Sequence, residues 1–198
     1  MADYKDIVGT AVRTNAGSLT SAQTGELFYD STALDFVYRF PNKTSAGTWR
    51  TGANMNTARA YNFATAGVQT AALNYGGNEP PGAVTGKTES YDGSTWTEVA
   101  DLNDTRGGNA GAGTYTAAIS TGGSSPGDTA NTETWNGSSW TEVNNLGQAR
   151  NRLAAVGLVT AALAYGGYGA PYYALTESWN GTSWSEVADL NTARNQLG

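Results

Sequence analysis

Short runs of apolar and polar residues alternate along most of this chain, and the same runs return in the same order. The last recurrence of this text reads TESWNGTSWSEVADLNTAR, from Thr176 to Arg194. Two of its runs meet at Asn180-Gly181, a dipeptide that tolerates φ > 0 and suits the tight turn of a β-hairpin. A two-residue turn would pair Trp179 with Thr182, and a four-residue turn would pair Trp179 with Trp184. Strand parity puts both indoles on one face in either case. The hairpin recurs as Trp135-Asn136-Gly137 to Trp140 and as Tyr91-Asp92-Gly93 to Trp96. A lone two-stranded hairpin is marginal in water, so a series of them must stack on something.

The spacing of marker residues sets the period. Trp49, Trp96, Trp140 and Trp184 are 47, 44 and 44 residues apart, and Arg59, Arg106, Arg150 and Arg194 keep the same spacing. Between them lie Gly76-Gly77, Gly122-Gly123 and Gly166-Gly167, each closing a strand-like run: TAALNYGG, TAAISTGG and TAALAYGG. Each copy holds four strand candidates, in the last one Arg152 to Val156, Thr160 to Tyr165, Leu175 to Trp179 and Ser183 to Val187. Four strands per unit at a period in the forties is the signature of a β-propeller blade. The chain is therefore expected to be all-β, with a lone fourth strand at 48–58 and blades at about 59–105, 106–149 and 150–193. Three blades do not close a ring, since propellers use about four to eight. The expectation is that the polypeptide continues past Gly198, or that blades from several chains assemble, with the strand at Trp49 completing the last blade.

These residues resemble Kelch-type repeats: a double glycine after the second strand (Gly166-Gly167), an aromatic in the third (Trp179), a Trp opening the fourth (Trp184), then a segment with Leu190 and Arg194. WD40 repeats fit less well, because the chain has no Trp-Asp pair and no His. Sialidase-type Asp boxes come close at Ser90 to Trp96, but the Asp-to-Gly spacing is one residue too short.

Residues 1–47 stand outside the repeat. A short strand is predicted at Ile7 to Val12, then two strands, Glu26 to Tyr29 and Asp35 to Phe40, joined through Asp30 to Leu34 as a small hairpin module. Phe28, Phe36, Tyr38 and Phe40 are a large apolar load for so short a segment, which cannot enclose a good core alone. They either pack on the repeats or on each other, or form an oligomerisation or docking surface. Gly25 to Asp30, reading Gly-Glu-Leu-Phe-Tyr-Asp, resembles the short N-terminal modules of bacteriophage virion proteins. That resemblance implies a virion location, with Phe28, Phe36, Tyr38 and Phe40 as docking residues toward other virion proteins.

Composition narrows the chemistry. The net charge is −6 with no basic cluster, which argues against nucleic acid as a partner. With neither Cys nor His, these residues cannot form disulfides, thiolate or imidazole metal sites, a Ser-His-Asp triad or a Cys-His dyad. No apolar run approaches the ~20 residues of a membrane span, and the start MADYKD is not read as a signal peptide. Galactose oxidase also uses Kelch blades, but its copper needs histidines and its radical a Tyr-Cys crosslink. Glutamates recur at Glu89, Glu133 and Glu177 and at Glu98, Glu142 and Glu186. A glycosidase pair should be unique, whereas these appear in every copy. No catalytic residue, cofactor or metal is expected.

The repeating arginines are expected to tie neighbouring blades through charge-assisted bonds, and the repeating tryptophans to pack between blades. Binding is expected where the copies disagree, in the loops 78–87, 124–131 and 168–174. Tyr168, Tyr172 and Tyr173 cluster there with hydroxyl tips suited to sugar rings or a protein interface, and Glu79 and Asp128 are further candidates. The expected function is a non-enzymatic phage virion protein, a tail or neck fibre or capsid decoration protein, that docks by residues 1–47 and offers its blade loops to a host glycan or protein. The alternative is a cellular Kelch-type adaptor that recruits proteins.

Overall fold

In a computed structural model of the chain, the described residues are 13–15, 27–30 and 35–38, for which only backbone is considered, together with 51–61 and 64–196. Among them every regular element is a β-strand and none is a helix. The chain divides into two compact regions, Met1–Arg50 and Thr51–Gly198.

The first region holds β1 (Arg13–Asn15), β2 (Leu27–Asp30) and β3 (Asp35–Tyr38) in one sheet of order β1-β2-β3. β2 and β3 are antiparallel, with Leu27 opposite Tyr38 and Asp30 opposite Asp35. β1 runs parallel to β2, placing Arg13 opposite Phe28. The expected hairpin module thus gains a parallel third strand. Parallel pairing joins segments that no tight turn connects, so it leaves no local turn signal in the sequence. The strand expected at Ile7 to Val12 and the docking candidate Phe40 lie outside the described residues, as do the side chains of Phe28, Phe36 and Tyr38.

The second region contains three antiparallel four-stranded sheets in chain order. Sheet one holds β4 (Thr65–Val68) and β5 (Ala71–Tyr75), a small hairpin of β6 (Asn78–Glu79) and β7 (Ala83–Val84) in the following loop, then β8 (Thr88–Tyr91) and β9 (Trp96–Val99). Sheet two holds β10 (Ala110–Thr114), β11 (Ala117–Thr121), β12 (Thr132–Trp135) and β13 (Trp140–Val143). Sheet three holds β14 (Ala154–Leu158), β15 (Ala161–Tyr165), β16 (Thr176–Trp179) and β17 (Trp184–Glu186). The first strand of sheet three starts two residues later than the pattern predicts. Arg152 has φ 52°, a left-handed conformation that an extended strand does not accept. Trp49 and the rest of 39–50 lie outside the described residues.

The turn question resolves in favour of the four-residue loop: Trp135 is opposite Trp140, Trp179 opposite Trp184, and Tyr91 opposite Trp96. The Asn136 side-chain oxygen accepts the N–H groups of Ser138 and Ser139 at 2.9 and 3.0 Å, and Asn180 repeats this with Thr182 and Ser183. The following glycines hold φ of 98° and 92° at 137 and 181, where a β-branched residue would be strained.

Alternation within each second strand decides what meets what. Leu73 and Tyr75 of β5 face sheet two, against Ala118, Trp135 and Trp140. Ile119 of β11 faces sheet three, against Ala162 and Trp179. The fourth-strand indoles reach back across each interface: Trp140 Nε1–H donates to Thr88 Oγ1 at 3.0 Å, and Trp184 Nε1–H to Thr132 Oγ1 at 3.2 Å. The buried Tyr75 hydroxyl donates to the Ile119 carbonyl at 2.9 Å, and its burial pushes its pKa up.

Candidate functional site

One end of the second region is built from the segments that follow each fourth strand and the loops that follow each second strand. The double glycines put them side by side. Gly76-Gly77, Gly122-Gly123 and Gly166-Gly167 all have positive φ, between 64° and 113°. In each copy the second glycine's N–H reaches the carbonyl of the arginine leaving that sheet: Gly77 to Arg106, Gly123 to Arg150 and Gly167 to Arg194, each at 2.9 Å. Residue pairs one step further on bridge the loop to the segment, Ala60 with Asn78, Gly107 with Ser124 and Asn151 with Tyr168.

The arginines then reach forward. Arg59 Nη2–H donates to Glu89 at 2.8 Å, Arg106 to Glu133, and Arg150 Nη1–H to Glu177 at 2.7 Å. The same carboxylates accept main-chain N–H groups, from Asn56 at 2.7 Å, Asn103 at 2.8 Å and Gly147 at 2.7 Å. Arg106 and Arg150 are wholly buried. Burial lowers the Arg106 pKa, against the opposing pull of Glu133. Each of these pairs joins an arginine segment to the third strand of the sheet that follows it. The fourth arginine, Arg194, is exposed, and among the described residues its one side-chain bond is from Nε–H to the Thr192 carbonyl at 3.3 Å.

The partner glutamates Glu98, Glu142 and Glu186 sit opposite Glu89, Glu133 and Glu177 and point into solvent. Every copy therefore has one carboxylate committed to an arginine and one solvated, with nothing that singles out a pair for acid–base work. Among the described residues no group of three or more Asp, Glu, His or Cys could hold a metal ion.

The candidate loop residues divide into two sets. Tyr168 and Tyr172 come together, joined by an antiparallel bridge, with ring centroids 5.5 Å apart and planes tilted by 59°. Both are exposed, Tyr172 more than Tyr168. Tyr173 instead turns inward, half-buried, its hydroxyl donating to the Gly169 carbonyl at 3.5 Å. Asp128 is exposed and accepts from the Asn151 side chain, which links loop 124–131 to the arginine segment beside Tyr168. Glu79 belongs to its own small hairpin, paired with Lys87 at 3.2 Å. Bonds from Thr85 and Lys87 hold its carboxyl below the usual range.

Sequence reasoning missed Tyr61 and Arg152, two residues beyond Arg59 and Arg150. The Arg152 guanidinium carbon lies 5.7 Å from the centroid of the Tyr61 ring. The available signal was positional: two places after the repeating Arg the copies read Tyr, Gly, Arg and Gln, and glycine in one copy hints at positive φ in all.

Beside the first strands β4, β10 and β14 a cleft of ≈ 490 Å³ is lined mostly by small apolar residues, including Ala66, Ala112 and Val156, with Thr65 and Gln69, and no charged side chain lines it. A scan against protein-family models returns no match for this chain, and a search of curated proteins returns none either.

Proposed function

We propose that the chain is a non-enzymatic structural protein of a bacteriophage particle, a tail or neck fibre or capsid decoration protein, which docks through residues 1–47 and displays a Kelch-type propeller that binds a host surface glycan or protein. The single observation behind the binding half of this reading is the contrast at one end of the sheets. An arginine–glutamate framework repeats there almost unchanged, while the loops between its copies differ, one of them carrying the exposed pair Tyr168 and Tyr172. A rigid scaffold with dissimilar tips suits recognition. The docking half rests on the Gly25 to Asp30 resemblance and on the aromatic load of so short a segment.

The two halves separate in experiment. Deleting residues 1–47 should remove the protein from purified particles, as read by immunoblot. Retention of the shortened chain on particles overturns the docking assignment. Changing Tyr168, Tyr172 and Tyr173 together to Ala should leave incorporation intact and weaken adsorption to cells. Unchanged adsorption moves the binding surface elsewhere, and recovery of the protein from cell extract with no particle association favours the cellular adaptor.

A further inference from the structure

The front of each four-stranded sheet, the side turned toward the copy that follows, carries one apolar row. In sheet one the row is Ala66, Leu73 and Val99, and in sheet two it is Ala112, Ile119 and Val143. The valines are half-buried and the others buried. The same row in sheet three is Val156, Leu163 and Val187, which are 55 %, 40 % and 42 % exposed. An apolar strip that its counterparts bury is a place to look for a partner.

The polar groups around the row tell the same story. In the earlier copies each is met by the copy that follows. The Tyr75 hydroxyl reaches the Ile119 carbonyl, Thr88 and Thr132 accept the indole N–H of Trp140 and Trp184, and Arg106 and Arg150 reach Glu133 and Glu177. Main-chain carbonyls are taken in the same direction: Tyr61 accepts from Gly108 N–H at 3.1 Å, Gly108 from Arg152 at 2.7 Å, and Arg152 from Gln196 at 2.9 Å. The counterparts in sheet three are the Tyr165 and Thr176 hydroxyls, the Arg194 guanidinium and the Gln196 carbonyl. Among the described residues none of the four meets a partner beyond sheet three. The Arg194 segment is nonetheless set as in the other copies, its carbonyl accepting the Gly167 N–H at 2.9 Å.

We propose that the front of sheet three is a docking surface for one further antiparallel sheet of the same repeat, whose third strand brings a glutamate that no other arginine has claimed. Group for group it matches the surface that sheets one and two already bury, so the new interface continues the two inside the molecule. The partner supplies what the back of a sheet supplies there: a small residue facing Leu163, as Ala118 and Ala162 face Leu73 and Ile119, two aromatics beside it, and a carboxylate for Arg194. Charge argues against a second copy of this chain. Glu89, Glu133 and Glu177 already hold Arg59, Arg106 and Arg150. Glu89, on the sheet whose back no other sheet covers, also accepts the N–H groups of Asn56 and Thr57, so segment 51–61 stands where Arg194 has to enter. The inference does not depend on what the loops bind.

The chain has no cysteine, so the thiol introduced by Leu163→Cys reports cover of this face without interference. The test is its rate of maleimide labelling in the full chain and in a chain lengthened after Gly198 by a second copy of residues 155–196, with which Leu197-Gly198 is already in register as Leu153-Ala154 is in the third copy. In the unlengthened chain the thiol should react as an exposed one at every protein concentration. In the lengthened chain it should react about tenfold more slowly or slower still, because only local opening then admits the reagent. Ile119→Cys, covered in both chains, gauges the rate at a buried position. Arg194→Gln should restore much of the rate in the lengthened chain and change nothing in the unlengthened one, and a Glu→Gln change at the appended counterpart of Glu177 should do the same. Equal labelling of the two chains overturns the proposal, and protection that survives Arg194→Gln overturns the glutamate partner. Labelling of the unlengthened chain that slows as its concentration rises overturns it in favour of a second copy.

Discussion

Sheet two is covered on both faces, whereas sheet three is covered on one, and equivalent apolar positions behave differently in the two places. Ile119 in β11 is fully buried, as is its counterpart Leu73 in β5 at 1 % exposure, whereas Leu163, at the equivalent place in β15, is 40 % exposed. Val156 and Leu158 of β14 are more exposed still. The polar links follow the same division. Arg106 and Arg150 reach a glutamate in the next sheet, and Arg194 reaches none among the described residues. Burial in this region is thus a property of the interface between copies and not of the copy.

The largest test of that statement is to remove one arginine from each setting. Arg106→Ala leaves Glu133 buried without its partner and should cost about 3–5 kcal/mol in denaturant unfolding, the range for breaking a buried pair. Arg194→Ala should stay within about 0.5 kcal/mol, as surface changes do. Equal losses would erase the distinction. A second pair of variants tests the apolar contacts. Ile119→Ala should destabilise by about 2–5 kcal/mol, and Leu163→Ala by clearly less, because solvent already reaches the side chain. If the two melt together, sheet three is covered in solution.

Turn variants sharpen the comparison by taking the interface out of it. Gly137 and Gly181 have nearly the same φ in sheets two and three, so Gly137→Val and Gly181→Val should each cost about 1–3 kcal/mol of local strain. A large difference between them would mean that cover also stiffens the turns.

The smallest effect concerns sheet one, whose turn carries Asp92 where the others carry Asn. Its carboxylate accepts the N–H groups of Thr95 and Ser94, both at 2.8 Å, and these bonds lower its pKa to about 2. A carboxyl depressed in the folded state contributes stability that is full above its unfolded pKa of 3.8 and is lost as pH falls through about 2. Melting temperatures of the protein and of Asp92→Asn should therefore diverge between pH 4 and 2, with the variant less sensitive to acid. Parallel curves would show that the charge contributes nothing.

How much of this could be read from the chain alone differs by feature. The hairpins were legible because Asn-Gly and Asp-Gly dictate local backbone geometry, and the tryptophans recur at fixed offsets. Which turn length they use was not legible, since both candidates keep the same parity. The role of Tyr168 and Tyr172 as an exposed pair could be anticipated from their loop, but the inward turn of Tyr173 depends on where Gly169 lies.

By itself the sequence determined the element types, the four-strand period and the residues that recur, because these depend on alternation, turn chemistry and spacing within one copy. Only the tertiary structure decided that Arg59, Arg106 and Arg150 pair forward with Glu89, Glu133 and Glu177, that Arg152 lies over Tyr61, and that Leu163 is left exposed while Ile119 is not. Those outcomes depend on which copy lies against which face, a relation between segments 27 or more residues apart in the chain. A repeat written identically in each copy carries no record of its neighbours.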